Sequence, residues 1–388
     1  LEAVFMFGKK IVFWEGVALL VGTIIGAGYL VLPYSVLQAG ALPNLFWLVF
    51  FGCCVTILHL LYAEIVVATP ENHRLPGYVG AYLGKGPELV SIASFIFGIF
   101  GGLLVYLLLG GRFLQLLIAP ALPIPQQLAV VVFWFALSVL LISKLGVSSK
   151  INLGITTVTV SLFAIVSAVS VTRGTFDNFS IPAGHSFFFP YGLVLYALVG
   201  SLAIPEIIKL LKKRNQSVSL IRPIGIVGTI IPVIVYALFA FAIFSASGSH
   251  TTQEAIEGLR GIVPNWLVWA TLFLAFLEIV TSYFTFGISI IETFRKDFSM
   301  KKIWATLLVI ALPIVLFGIG IDDFVKLIGV LGSVLATIDS LAIILVYRAI
   351  KKQKPEYKPQ VVALPQWALI PFALVFLIGG VLGFVYSL

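Results

Sequence analysis

Glu278, Thr281, Ser282, Thr285 and Ser289 stand at intervals of three, one, three and four residues within the apolar run LFLAFLEIVTSYFTFGISIIETFRKDF. That is the spacing of one helix face. Hydroxyl oxygens at Thr281 and Ser282 on such a face can coordinate a hard cation such as Na⁺. The same residue types also bond back to carbonyls of their own helix and pack against neighbours. Two weaker stripes, Asn152, Thr156 and Thr159, and Ser333, Thr337 and Ser340, read as helix contacts. A second pattern is backbone chemistry. The segment LVGTIIGAGYLVLPYSVLQAG places Gly22, Gly26 and Gly28 near the centre of a stretch long enough to cross a bilayer. Glycine there signals an opened backbone, tolerated at membrane depth only where the freed amides and carbonyls line a cavity or bind something.

The elements that must position these groups are transmembrane helices. Hydrophobic residues make up 60% of the 388 positions and charged residues 10%, which places the chain among integral membrane proteins. The apolar runs are continuous and do not alternate, which disfavours a barrel. About eleven spans fit, at 12–37, 45–69, 89–118, 127–143, 151–172, 187–211, 224–247, 265–292, 303–320, 325–349 and 366–387. The expected fold is therefore all-α and polytopic. Residues 1–8 are read as a trimmed terminus or a remnant, with no recognisable signal peptide.

The glycine break has a counterpart in the sixth span, YALVGSLAIPEIIKL, where Gly200 stands five residues before Pro205 as Gly28 does before Pro33. A pair in spans one and six implies a five-plus-five internal repeat. The predicted division is a cytoplasmic tail at 1–11, a first repeat at 12–172, a second at 187–349 and an additional helix at 366–388. Free amides at a half-helix start favour negative charge, and free carbonyls at the preceding end favour positive charge. A zwitterion satisfies both. Its carboxylate would sit on the amides of Gly26, Ala27 and Gly28, and its ammonium on carbonyls near Thr23 and near Ala197 to Gly200.

The net charge of +8 does not require a nucleic-acid partner. Twenty of the 24 basic residues fall on one set of alternate loops, leaving Arg112, Arg173, Arg260 and Lys326 for the other side. That asymmetry predicts a cytoplasmic N-terminus and, after eleven spans, an extracytoplasmic C-terminus. Cys53 and Cys54 are adjacent and point different ways, and His59, His73, His185 and His250 lack ligand spacing. No disulfide or metal cluster is expected. No nucleophile–base pair sits at membrane depth, so an enzyme is the least favoured class.

GTIIGAGYLVLPY, HLLYAEIVVATPENHRLPGYVGAYLGK, ALVGSLAIPEI and TSYFTFGISIIETFRKDF together resemble the amino acid/auxin permease family, part of the amino acid, polyamine and organocation transporters. The similarity spans nearly the whole chain. It implies the inverted-repeat fold of the bacterial leucine transporter, with substrate against the unwound parts of helices one and six. Thr23, Gly26, Ala27, Gly28, Ala197, Val199, Gly200 and Ser201 are then pocket positions. The resemblance further implies a sodium site using backbone oxygens of Gly22 and Ile25, the Glu278 carbonyl, and the hydroxyls of Thr281 and Ser282. Glu278 departs from the small or apolar residue found in sodium-coupled relatives. A carboxylate there can bind the ion directly, carry a proton or pair with a neighbour.

The reading is a secondary active transporter importing a neutral L-amino acid by alternating access, monomeric in the plasma membrane, with Na⁺ favoured over H⁺ as the coupling ion. A sensor that keeps the fold and binds without transport is the alternative. Tyr106 is expected as a pocket wall, and Arg112 as a guard of the outer vestibule or an outward snorkelling group. Glu64 is expected to snorkel or pair with a loop cation, and Glu206 to cap the second half of helix six. Asp339 has no evident partner.

Overall fold

The computed structural model describes residues 2–71, 73–143, 149–184, 186–296 and 299–387. Lys144 and His185 lie outside them, and the side chains of Lys150, Asn152 and Thr156 are likewise undescribed. Every long element among the described residues is a helix, as the continuous apolar runs require.

The first span is broken. Helix α1 (Glu2–Ile24) ends at Ile25 and Gly26, a 3-10 turn covers Ala27–Val31, and α2 (Leu32–Ala39) resumes the span after a bend of 52°. Pro33 sits in the first turn of α2, where its missing N–H leaves nothing unpaired. Gly40, at φ 87°, turns the chain within one residue into α3 (Ala41–Ala68). A short apolar helix α4 (Leu75–Leu83) and Gly84, also at φ 87°, lead into α5 (Lys85–Ile118). Helices α6 (Gln126–Ile142) and α7 (Ser149–Arg173) complete the first set of five spans.

The second set begins with another broken span. Helix α8 (Phe189–Leu198) stops at Val199, and α9 (Ala203–Lys213) starts four residues later with Pro205 as its third residue. Then follow α10 (Ile221–Ser247), α11 (Asn265–Lys296) and α12 (Lys302–Gly318). The tenth span joins α13 (Phe324–Val330) through a π-helical turn, Leu331–Ala336, to α14 (Thr337–Gln353). Helix α15 (Gln366–Ser387) closes the chain.

Among the described residues seven helical segments are long and apolar enough to cross a membrane, and the bent first pair makes an eighth. Three shorter apolar segments, Gln126–Ile142, Thr157–Arg173 and Lys302–Gly318, match the remaining expected spans. The broken spans lie at the centre. Helix α8 packs on α3, α15 and the π turn, and its approach is closest where Gly192 meets Gly329 and Gly332 backbone to backbone. Any side chain there would force the helices apart.

Several charges found partners that the sequence did not name. Glu64 neither snorkels nor pairs with a loop cation. It is 1% exposed and accepts hydrogen bonds from the Tyr357 hydroxyl and from the amides of Gln360 (3.0 Å), Val361 (2.6 Å) and Val362 (2.8 Å). The loop before α15 thus wraps a carboxylate in backbone donors, which a charge count along the sequence cannot reveal. Burial and the adjacent Glu64 hold the Tyr357 hydroxyl above its ordinary pKa. Arg112 does not reach outward alone. It bonds Gln115 and lies 3.7 Å from the buried Glu254 of the α10–α11 loop. Glu206 occupies the first turn of α9, where its charge suits the helix dipole, and pairs with Lys209 at 2.7 Å, while no side chain caps the α9 amides.

Candidate functional site

The two breaks meet each other. A Cβ added at Gly28 would lie 2.9 Å from Ala197 Cα, and one added at Gly200 would lie 2.5 Å from Ile24 Cγ1. Each glycine therefore lets the backbone of one broken span approach the other. The unpaired ends are closed from a third helix. The Tyr236 hydroxyl of α10 donates toward the carbonyls of Ile24 (2.8 Å) and Ala197 (3.2 Å), near the ends of α1 and α8. Tyr236 was not among the candidates. No local pattern in its apolar span marks it, because its partners come from two distant breaks.

Beside the first break lies a cavity of about 10 Å³, room for roughly one water. Gly26, Ala27, Tyr29 and Leu30 line it from the break, Tyr106 from α5, and Ala275, Glu278, Ile279 and Ser282 from α11. The predicted site residues Gly26, Ala27, Tyr106, Glu278 and Ser282 are thereby brought together. The Tyr106 hydroxyl faces Ala27 and Ser282 and comes within 3.2 Å of where a Gly26 Cβ would stand. Glu278, 7% exposed, shares the cavity wall with Tyr29 and Tyr106. Among the described residues no Lys or Arg pairs with it. Tyr29 stacks on Tyr236 at 5.6 Å and meets Phe163 and Phe239 edge to face, which fixes the wall behind the break.

Other predicted residues stand elsewhere. Thr281 is buried, and its hydroxyl donates to the Glu278 carbonyl of its own helix at 3.0 Å. Thr23 is exposed and bonds back to Leu19 at 2.8 Å. Gly22 is exposed with open space around it, and α1 and α11 make few close approaches. Ile25 is buried, Ala197 and Gly200 are buried at the crossing, Ser201 is half-buried, and Val199 is 38% exposed. Farther along the α11 stripe, Thr285 and Ser289 are exposed. Chemically, the cavity offers free amides at a half-helix start, hydroxyl oxygens and a carboxylate without a counter-cation, a set suited to small charged species.

The fold is one found in membrane transporters. A structure described as MhsT in complex with L-phenylalanine aligns over 96% of this chain and 98% of its own, with TM-score 0.62 at 12% identity. A manganese transporter from Eremococcus coleocola, in complex with an aromatic bis-isothiourea substituted compound, aligns over 98% and 88%, with TM-score 0.61 at 14% identity. At such identities the likeness is one of fold, the five-plus-five inverted repeat with broken first and sixth spans. Residues 9–387 match the model of the transmembrane amino acid transporter proteins, and the chain belongs to that family, the amino acid/auxin permeases. Its relatives include glutamine transporter 2 of Aliivibrio fischeri, 22% identical over 334 residues (82% of this chain, 84% of the relative). They also include tyrosine-specific transport system 1 of Haemophilus influenzae, 23% identical over 340 residues (82% and 83%).

Proposed function

We propose that the chain imports a neutral L-amino acid by alternating access, coupled to a cation held at Glu278. The single observation that carries this reading is the meeting of the two broken spans at Gly28 and Ala197, with the one-ion cavity of Gly26, Tyr106, Glu278 and Ser282 beside it. The amino acid's carboxylate sits on the break amides and its ammonium on carbonyls at the crossing of the two spans. The apolar and aromatic surroundings, Tyr29, Leu30 and Ile279, favour a side chain without charge. The names of the relatives point the same way, since glutamine and tyrosine are both neutral.

Na⁺ remains the favoured coupling ion because the cavity has room for one small ion among oxygen donors. The donor set is smaller than the resemblance implies, with Glu278 and Ser282 at the cavity and Thr281 engaged in its own helix. The protein would work as a monomer in the plasma membrane, N-terminus inside and C-terminus outside. The test is uptake of labelled neutral amino acids into proteoliposomes under imposed Na⁺ or proton gradients. Uptake driven by inward Na⁺ and lost in Glu278→Gln is the expected result. Uptake driven only by a proton gradient replaces Na⁺ with H⁺ on the same carboxylate, and binding without flux under either gradient replaces transport with sensing.

A further inference from the structure

Asp339 is a second carboxylate within a span, on α14, and it takes no part in the Glu278 cavity. The Ser94 hydroxyl of α5 donates to Asp339 Oδ1 at 3.0 Å and lies 3.4 Å from the Leu335 carbonyl. Among the described residues no Lys or Arg pairs with Asp339. One turn earlier on α5, the Ser91 hydroxyl is 2% exposed and has no hydrogen-bond partner. A wholly buried hydroxyl without a partner costs free energy that a ligand would recover. Leu335 belongs to the π-helical turn Leu331–Ala336, where the wider winding shifts carbonyls out of the regular ladder, a feature common at functional sites. The flanking groups are Tyr62 of α3, Tyr78 of α4, which meets it edge to face, and Arg74 just before α4. Arg74 also lies over the Phe95 ring.

We infer that Asp339, Ser94 and the Leu335 carbonyl form a second monovalent-cation site, completed by Ser91 when the ion is present. The donors are a carboxylate, two hydroxyls and a carbonyl, all hard oxygens suited to Na⁺ and poorly suited to a transition metal. Ligands about 2.4 Å from a hard cation and at right angles to one another stand about 3.4 Å apart, the separation of the Ser94 hydroxyl and the Leu335 carbonyl, and the ion would replace the 3.0 Å hydrogen bond from Ser94 to Asp339. One negative charge against one positive charge leaves the site neutral at membrane depth. The site joins α5, which carries Tyr106 into the cavity, to α14, so ion binding there would fix the two helices against each other.

The inference does not depend on the role given to Glu278, and ²²Na⁺ binding to the purified full chain separates the two. Glu278→Gln should still bind Na⁺, and adding Asp339→Asn should abolish that remaining binding. Ser94→Ala in the Glu278→Gln background should weaken it about tenfold. The isosteric Asp339→Asn guards against misfolding, checked by elution profile and melting temperature. If Glu278→Gln and its Asp339→Asn double variant bind Na⁺ equally, or if folded Glu278→Gln binds none, the second site does not exist. If instead Glu278→Gln binds Na⁺ as the unsubstituted chain does and Asp339→Asn removes all of it, the second site stands and Na⁺ coupling at Glu278 fails.

Discussion

Tyr236 and Ile24 are joined by a 2.8 Å hydrogen bond from the tyrosine hydroxyl to the last carbonyl of α1, and the same hydroxyl lies 3.2 Å from the carbonyl of Ala197. One side chain from the seventh span thus tethers the open ends of both broken spans. Tyr236→Phe keeps the ring stack on Tyr29 and removes only the hydroxyl. The stranded carbonyls should cost about 1–3 kcal/mol. A lowered melting temperature together with weakened amino acid binding is expected. Unchanged binding would mean that the tether does not shape the site.

Ser282 and Thr281 are neighbours in sequence with different surroundings. Ser282 lines the cavity beside Tyr106, whereas Thr281 bonds the Glu278 carbonyl of its own helix. Ser282→Ala should therefore raise the Na⁺ concentration required for half-maximal uptake more than Thr281→Ala does. Equal effects, measured as Na⁺ titrations of uptake, would restore the paired-hydroxyl site that the family resemblance implies.

What the sequence could and could not show follows from the range of each interaction. The spans and both breaks were legible because apolar runs, glycines and prolines act locally. The polar face of α11 was legible because helical periodicity places Glu278 and Ser282 together. Glu64 was not, because its donors come from a loop some 300 residues away, at Gln360 to Val362. Tyr236 and the Arg112–Glu254 pair were missed for the same reason. The break itself also shifted slightly. Gly28 lies in the 3-10 turn packed on Ala197, and the unwound residues are Ile25 and Gly26.

The Glu64 cradle should be a strong structural clamp. Glu64→Ala removes the acceptor of three backbone amides and a hydroxyl, so a loss of several kcal/mol is expected. It would appear as a sharply lower melting temperature in detergent. Tyr357→Phe should cost less, about 1–2 kcal/mol. Because the folded Tyr357 hydroxyl has a raised pKa, its contribution is complete below the unfolded value near pH 10 and fades as pH rises above it. The gap in melting temperature between the unsubstituted chain and Tyr357→Phe should narrow above that pH. A gap that widened would contradict the assignment.

The crossing of the two broken spans is the proposed amino acid site, and a thermal-shift screen of the twenty amino acids tests it most directly. In the unsubstituted chain at least one neutral amino acid should raise the melting temperature. Gly28→Leu, whose side chain must push the Ala197 backbone aside, should lower the melting temperature and lose that response. A response of the same size at the same concentration in Gly28→Leu would place the amino acid elsewhere and contradict the account.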